Sequence, residues 1–422
     1  MTFSNFYKKT REDRINILKE EQIISNESAD KLLNNQTLDV NIAGKMAENH
    51  IGTFALPFGV VNNFIVNNKP YTIPMVTEEP SVIAACNNAA KTIGKSGGFS
   101  ADILDRKMIG QVALYDVENI DLALENLQRE GTSLLKLANE AHPSIVKRGG
   151  GACDISHEII NFEDTSFLVV YLTVDVKEAM GANILNTMLE AIKPTLETLT
   201  NGTALMGILS NYATKSLVKA TCTIDVSTLN KDILEARNIA HKISLASKLA
   251  QADVYRATTH NKGIFNGIDA IVIASGNDWR AVEAACHAYA VKDNKYRGLA
   301  TWNFDKNSDK LNGELTLPMP VASVGGSIGL NDTVKIAHEI MNNPDAKTLA
   351  TIIVSVGLAQ NFAALKALVS VGIQQGHMKL HAKSLAMLAG ANESEADIVA
   401  KKLTQEKHIN LATAQQILET IR

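Results

Sequence analysis

Lys262 is the only lysine in the stretch YRATTHNKGIFNGIDAIVIASGNDW, residues 255–279. An ammonium group in such a stretch can be a solvated turn residue. It can also bind an anion or hold a negative charge that develops during a reaction. The small-residue motifs NKG and NGID read as turns around it, and turn glycines let a ligand approach the backbone. The run that follows, IDAIVIASGND, has the pattern of a buried strand ending in a polar turn. Loops at the carboxyl ends of such strands are common active-site positions in α/β proteins. Asp278 falls at that end, where it can cap the next helix or act as an acid.

Carboxylates and imidazoles supply the acid–base half of such chemistry. Glu78 and Glu79, in MVTEEPSV, stand at the entry of an alanine-rich helix opened by Pro80 in its first turn. There they can offset the helix dipole, or one of them can be held protonated by partial burial and donate a proton. The residues alone do not choose between the two glutamates. In GIQQGHMKLHAKS, His377 and His381 are one helical turn apart, a spacing that suits a metal pair or a general acid beside a structural histidine. A zinc site needs a third ligand at recognisable spacing, and none stands out, so no metal is expected. KRGGGACD (147–154) and SVGGSIG (323–329) can bring backbone amides to a phosphate, and EAMGAN (178–183) lies between a strand and a helix, the context of a nucleotide turn. KTIGKSGG fails as a P-loop because position 89 is Ala and a helix precedes it.

The elements that would position these groups alternate in type. Residues 5–50 read as helices, and IGTFALPFGVVNNFIVNNKPYTIPM as strands with a hairpin turn at NNK. Between about 106 and 215 the chain has its own β–α…β–α order, with strands in MIGQVALYDV and SFLVVYLTVDV, a pattern of a compact α/β or split-βαβ insertion. A second α/β stretch spans about 216–330, and the remainder is helical. One long apolar helix, ATIIVSVGLAQNFAALKALVSVGIQQG, is expected to break at Gly376, and a final amphipathic segment follows Gly390–Asn392.

At 422 residues the chain exceeds one simple core. A net charge of −4 makes no case for nucleic-acid binding. No apolar run is read as approaching the ~18 residues of a membrane span, and the polar N-terminus has no signal-peptide core, so a cytoplasmic protein is expected. Cys86, Cys153, Cys222 and Cys286 are far apart and read as free thiols.

Taken together, ENHIGTFALPFGV, PMVTEEPSVIAA, DVKEAMGANILNTM, the 255–279 stretch, LAQNFAAL and GHMKLHA occur in the order found in 3-hydroxy-3-methylglutaryl-CoA reductases. Over nearly its whole length the chain resembles the soluble bacterial class II members. The resemblance implies a catalytic set of Glu79, Lys262, Asp278 and His377. Glu79 is preferred to Glu78 by the two small residues that follow it, and His377 to His381 by its place between a small residue and Met. Arg256, Asn266, Ser81 and the supporting His381 match substrate positions. Glu178, Met180, Gly181 and Asn183 form the implied cofactor turn, with Glu178 where the family usually has Asp. His142, Lys147 and Arg148, with no Asp among residues 140–148, favour NADPH over NADH.

The implied reaction reduces 3-hydroxy-3-methylglutaryl-CoA to mevalonate by two hydride transfers and releases coenzyme A. Lys262 would stabilise the oxyanion, Asp278 would hold Lys262, a protonated Glu79 would supply a proton, and His377 would protonate the leaving thiolate. The implied fold is α/β (α+β). A large domain (1–105 and 216–375) carries an inserted ferredoxin-like or Rossmann-like cofactor domain (106–215) and a C-terminal helical flap (376–422). A homodimer with active sites at the subunit interface, or a larger assembly, is implied as well. The rival readings are a Schiff-base aldolase or decarboxylase acting through Lys262, and a non-catalytic CoA- or nucleotide-binding protein.

Overall fold

The computed structural model of the chain describes residues 3–36, 38–326, 328–370, 382–406 and 408–422. His377, His381 and the expected break at Gly376 lie outside the described residues. Three helices open the chain: α1 (Arg11–Glu20), α2 (Asn26–Leu33) and α3 (Val40–Met46). Thr10 and Asp13 form a capping box on α1, which satisfies two otherwise orphaned backbone donors.

A six-stranded mixed sheet follows, in the order β11-β12-β8-β3-β1-β2. Its strands are β1 (Phe58–Val66), β2 (Lys69–Val76), β3 (Phe99–Ile103), β8 (Leu217–Asp225), β11 (Ala300–Asp305) and β12 (Lys310–Pro318). Asn67 and Asn68 both take left-handed backbone angles (φ 50 and 63) in the β1–β2 turn, the geometry of a two-residue hairpin. Helix α4 (Val82–Gly94) begins two residues after its proline: Ser81 is the N-cap, with φ 77, and Pro80 lies outside the helix.

Between β3 and β8, which are antiparallel neighbours, the chain makes a second unit. It comprises β4 (Met108–Tyr115), α5 (Ile120–Ala141), α6 (Pro143–Lys147), β5 (Gly151–Phe162), β6 (Thr165–Asp175), α7 (Ala182–Thr200) and β7 (Thr203–Leu209). The sheet order β5-β6-β4-β7, all antiparallel, is a split-βαβ, ferredoxin-like arrangement rather than the parallel sheet of a Rossmann unit. Leu114, Leu127, Leu134, Leu172, Leu185 and Met188 build its own core.

The stretch around Lys262 contradicts its sequence pattern. Helices α8 (Ile233–Ala252) and α9 (Val254–Ala274) precede α10 (Trp279–Tyr289), so NKG, NGID and IDAIVIA are all helical. Neither turn nor strand forms there. The reason is tertiary packing, which overrides β-branched propensity. Helix α12 (Ala346–Val369) lies against α9, and glycines let the two approach. A Cβ at Gly267 would sit 3.0 Å from Val356 Cγ1, and one at Gly357 would sit 2.9 Å from Ile268 Cδ1. The glycines that imitated turns are the seam between two buried helices.

Helix α12 also corrects the reading that no segment is long and apolar enough to span a membrane. It meets that length and composition, with a mean hydropathy of 1.7 over its apolar window, but 67% of that window is buried in the fold. Helix α11 (Asp332–Ile340) packs Ile336 and Ile340 on Ile15, Leu18 and Ile24 of the N-terminal region. The final segment is two helices rather than one, Glu393–Leu403 and Leu411–Ile421. With helical residues 382–388 they enclose a separate small core of Leu385, Val399, Leu403 and Leu418. None of the four cysteines is disulfide-bonded.

Candidate active site

Helix α9 sets Lys262 and Asn266 one turn apart on one face. That face meets the loop between β2 and α4. Lys262 Nζ donates to Glu79 Oε2 at 2.6 Å, and Asn266 Nδ2 reaches Glu79 Oε1 at 3.5 Å. Glu79 is held in turn by its own backbone N–H, which donates to Thr77 Oγ1 at 3.2 Å. Glu79, the glutamate singled out from the resemblance, is thus the one that contacts Lys262. It does so as the acceptor of the Lys262 hydrogen bond. The pair is open to solvent, with the Lys262 side chain 61% exposed.

Ser81 Oγ, two residues from Glu79, and Arg256 Nε, in the first turn of α9, are buried without hydrogen-bond partners. Ser81 keeps a left-handed backbone (φ 77) at the entry to α4, a conformation costing of order 1 kcal/mol or more for a non-glycine residue. Burial holds the Arg256 guanidinium below its usual range. Such groups are paired in most folded proteins.

Asp278 behaves differently. Its Oδ1 accepts from the Arg280 and Ala281 backbone N–H groups at 3.0 and 3.2 Å, capping α10, and pairs with Arg280 at 3.2 Å. It makes no ion pair with Lys262 among the described residues of this chain, contrary to the expected support role. It is exposed.

The implied cofactor groups lie on the small unit. Gly151 of β5 is in register with Asp175 of β6, which sets the KRGGG turn beside the VKEAMG turn. Gly181, with φ 104, precedes α7, and no side chain caps that helix. The N–H groups of its first turn are therefore open to an anion. Met180 is half-buried against the small core, and Asn183 is exposed. His142 joins α5 to α6, with Nδ1 3.2 Å from Ser144 Oγ. Lys147 and Arg148 are exposed, and no ion pair engages either among the described residues.

Glu178 departs from expectation, because its carboxylate is already engaged. Oε2 accepts from Ser323 Oγ at 2.6 Å and from the Ala346 backbone N–H at 2.7 Å. Beside it a cavity of about 260 Å³ is lined by Arg106, Lys107, Asp175, Lys177 and Lys347 among others. Arg106, buried in the connector into the small unit, donates to the carbonyl of Val321 at 2.6 Å and, more weakly, to that of Ala179 at 3.4 Å.

The sequence reading missed Asp269, whose Oδ1 is buried without a hydrogen-bond partner. A helix assignment would have found it, since Lys262, Asn266 and Asp269 then share a stripe of α9.

The profile of the hydroxymethylglutaryl-coenzyme A reductases matches residues 10–382. The chain belongs to that family. This reductase chain is 41% identical over 417 residues to the 3-hydroxy-3-methylglutaryl-coenzyme A reductase of Archaeoglobus fulgidus, covering 99% of its own length and 94% of the relative's. A solved 3-hydroxy-3-methylglutaryl-coenzyme A reductase of Streptococcus pneumoniae is 55% identical, with a TM-score of 0.87 over 100% of both chains. A structure of the class II enzyme from the same organism, bound to NADPH in open conformations, is 56% identical with a TM-score of 0.85, over 98% of this chain and 100% of that one. The activity is that of the family, an oxidoreductase of the hydroxymethylglutaryl-CoA reductase type.

Proposed function

We propose that the Lys262–Glu79 pair is the reaction centre at which 3-hydroxy-3-methylglutaryl-CoA is reduced to mevalonate in two hydride transfers. The observation that carries this is the 2.6 Å contact between a lysine and a glutamate 183 residues apart, with the buried, unpartnered Ser81 Oγ two residues from that glutamate. Lys262 donates to the thioester oxygen as negative charge develops there, a contribution of a few kcal/mol per donor. Glu79, joined to Lys262 and Asn266, relays the proton that the alcohol oxygen takes up. Arg256, Asn266 and Ser81 hold the substrate. His377, with His381 in support, protonates the departing coenzyme A thiolate.

NADPH is the preferred cofactor, and when bound it supplies the hydride. Lys147, Arg148 and His142 face its phosphate, and the free amides that follow Gly181, with Met180 and Asn183, seat the rest on α7. The exposed, unengaged Lys147 and Arg148 support that choice, because a 2′-phosphate favours basic neighbours. Glu178 fixes the shape of the turn. The large unit (1–105 and 216–375) binds substrate, the small unit (106–215) binds cofactor, and residues 376–422 form a flap over them.

The active protein is a cytoplasmic homodimer with its sites at the subunit interface. Asp278 acts across that interface, a reading its exposure and its lack of a Lys262 pairing within its own chain support. Exposed Ile51, Phe54 and Tyr255 supply apolar surface for it.

The test follows nicotinamide absorbance with 3-hydroxy-3-methylglutaryl-CoA as substrate. Two NADPH are expected to be oxidised per mevalonate formed, with NADH the poorer cofactor. One cofactor per product, or product without cofactor, would falsify the two-hydride reading; a clear preference for NADH would overturn the cofactor choice alone.

A further inference from the structure

The residues that follow β12, Met319–Ser323, form a strap bonded in turn to both units. The Met319 N–H donates at 2.8 Å to the carbonyl of Ser216, in the connector out of the small unit. Arg106, in the connector into it, donates to the Val321 carbonyl at 2.6 Å. Ser323 meets the turn before α7: its N–H donates to the Glu178 carbonyl at 3.0 Å, and its hydroxyl to Glu178 Oε2 at 2.6 Å. Between these ties, Ala322 faces the α9–α10 turn. Its N–H donates to Asn277 Oδ1 at 2.7 Å, and its carbonyl accepts from Asn277 Nδ2 at 3.1 Å. Binding the N–H and the C=O of one residue takes an acceptor and a donor on one side chain, which an amide supplies.

Both sides of this link are held firmly. Met319 and Val321 are fully buried in the strap. In the α9–α10 turn, a Cβ on Gly276 (φ 70) would sit 2.9 Å from Val334 Cγ1, and His338 Nε2 lies 3.0 Å from the carbonyl of buried Ser275. Among the described residues, the hydrogen bonds that join this turn to the strap all come from Asn277. Asp278 is the next residue in the chain. We propose that Asn277 is a positioning residue for hydride transfer, which through Ala322 and Ser323 sets the cofactor turn at a fixed spacing from Asp278. The inference rests on the reading of the small unit as the cofactor unit and of Asp278 as a member of the reaction centre. The Glu178 side chain is the lesser part of the link, because the Ser323 N–H bonds the main-chain carbonyl of residue 178.

Removing the Asn277 amide frees the strap from the Asp278 turn and leaves every amide of the cofactor turn in place. NADPH should still bind, and hydride transfer should slow. Asn277→Ala tests this in a single turnover, with protein and 3-hydroxy-3-methylglutaryl-CoA in excess over NADPH. The rate constant of NADPH oxidation reports how well the hydride donor is placed, and the amplitude reports how much of the protein is competent. The rate constant is expected to fall by about 10- to 100-fold at full amplitude, the effect of a small misplacement of reacting groups. The NADPH Kd, from a fluorescence titration without substrate, should stay unchanged. Asn277→Asp keeps an acceptor for the Ala322 N–H, but its carboxylate has no proton for the Ala322 carbonyl, so its rate constant should fall between the other two.

A smaller amplitude at an unchanged rate constant would make Asn277 a stabilising residue only and overturn the inference. So would an unchanged rate constant at full amplitude, or a weaker NADPH Kd with the rate constant unchanged. Should Asn277→Ala fail to fold, Asn277→Asp decides alone on the same readouts. The unaltered protein separates this failure from that of the reading beneath it. If it oxidises no NADPH when the thioester is added, the reduction reading falls and takes the inference with it. If it does, and the Asn277 variants match its rate constant, the inference alone is sunk.

Discussion

The Lys262 face and the Glu178 turn both gather polar side chains between distant segments, yet they hold their carboxylates differently: Glu79 pairs with an exposed lysine, and Glu178 with a hydroxyl and a backbone amide. Near Lys262, Ser81 Oγ and Asp269 Oδ1 are buried without partners, and near Glu178 so is Arg106 Nε. Glu178 is satisfied twice over, by Ser323 and by the first N–H of α12. Leaving a buried polar atom unpaired costs about 1–3 kcal/mol. A fold tolerates several such atoms in one place where a bound molecule completes them. The first region is the one proposed above to take the substrate; the second ties the turn before α7 to the start of α12.

Lys262→Ala breaks the comparison most directly. If the Lys262 face carries the chemistry, turnover should fall by about 100- to 1,000-fold, the usual effect of removing one oxyanion donor. Tm should change little, since the side chain is 61% exposed and an exposed ion pair contributes about 0–1 kcal/mol. A variant that retained full turnover would remove Lys262 from the mechanism.

The same helix has a structural side, and there the next largest effect is expected. His260 is 1% exposed. Its Nε2 lies 3.2 Å from both the Ala300 carbonyl and Asn361 Nδ2, and Asn361 Oδ1 accepts from Trp302 Nε1 at 2.8 Å. Burial, aided by the charge of Arg256, lowers His260 from 6.5 to about 4. The folded chain therefore binds this proton less readily than the unfolded chain. Stability from His260 is present above pH 6.5 and is lost as pH falls toward about 4, by up to about 3 kcal/mol at 1.36 kcal/mol per pH unit. Unfolding by urea at pH 7 and pH 4.5 measures it, and His260→Gln should show a smaller difference. An equal difference in both proteins would mean that His260 does not titrate in this window.

These two faces of α9 explain what could be read from the sequence and what could not. The small unit was legible because its signals are local: alternation in SFLVVYLTVDV gives β6, and helical spacing in IDLALENLQREGTSLLKLANEA gives α5 to the residue. Motif order also picked Glu79 and Lys262 before any geometry was known. Helix α9 was illegible because its glycines and β-branched residues have two physical uses. They make turns and strands when alone, and a close helix seam when α12 lies against them. That partner is some 90 residues away in sequence, beyond the reach of any periodicity. Reading a strand there hid Asp269, whose place on the Lys262 face exists only in a helix. The pairing of Asp278 with Arg280 depends on how α10 is capped, which the motif leaves open.

Glu178→Ala is the mildest break and the one that best sharpens the contrast. The substitution removes the acceptor for Ser323 Oγ and for the Ala346 N–H. The second loss matters more, because that amide opens a helix whose N-cap, Asp345, already serves Thr348. The expected cost is about 1–3 kcal/mol of stability, measured by urea unfolding. KM for NADPH should rise modestly while kcat holds, since the EAMGAN turn loses an anchor but none of its phosphate-facing amides. Glu178→Asp, the residue that the family resemblance implies at this position, shortens the side chain by one methylene and should recover only part of that stability. A large rise in KM with unchanged stability would instead mean that the carboxylate itself touches the cofactor. The Glu178 turn would then belong with the Lys262 face as a binding site, and the division between site and joint would fail.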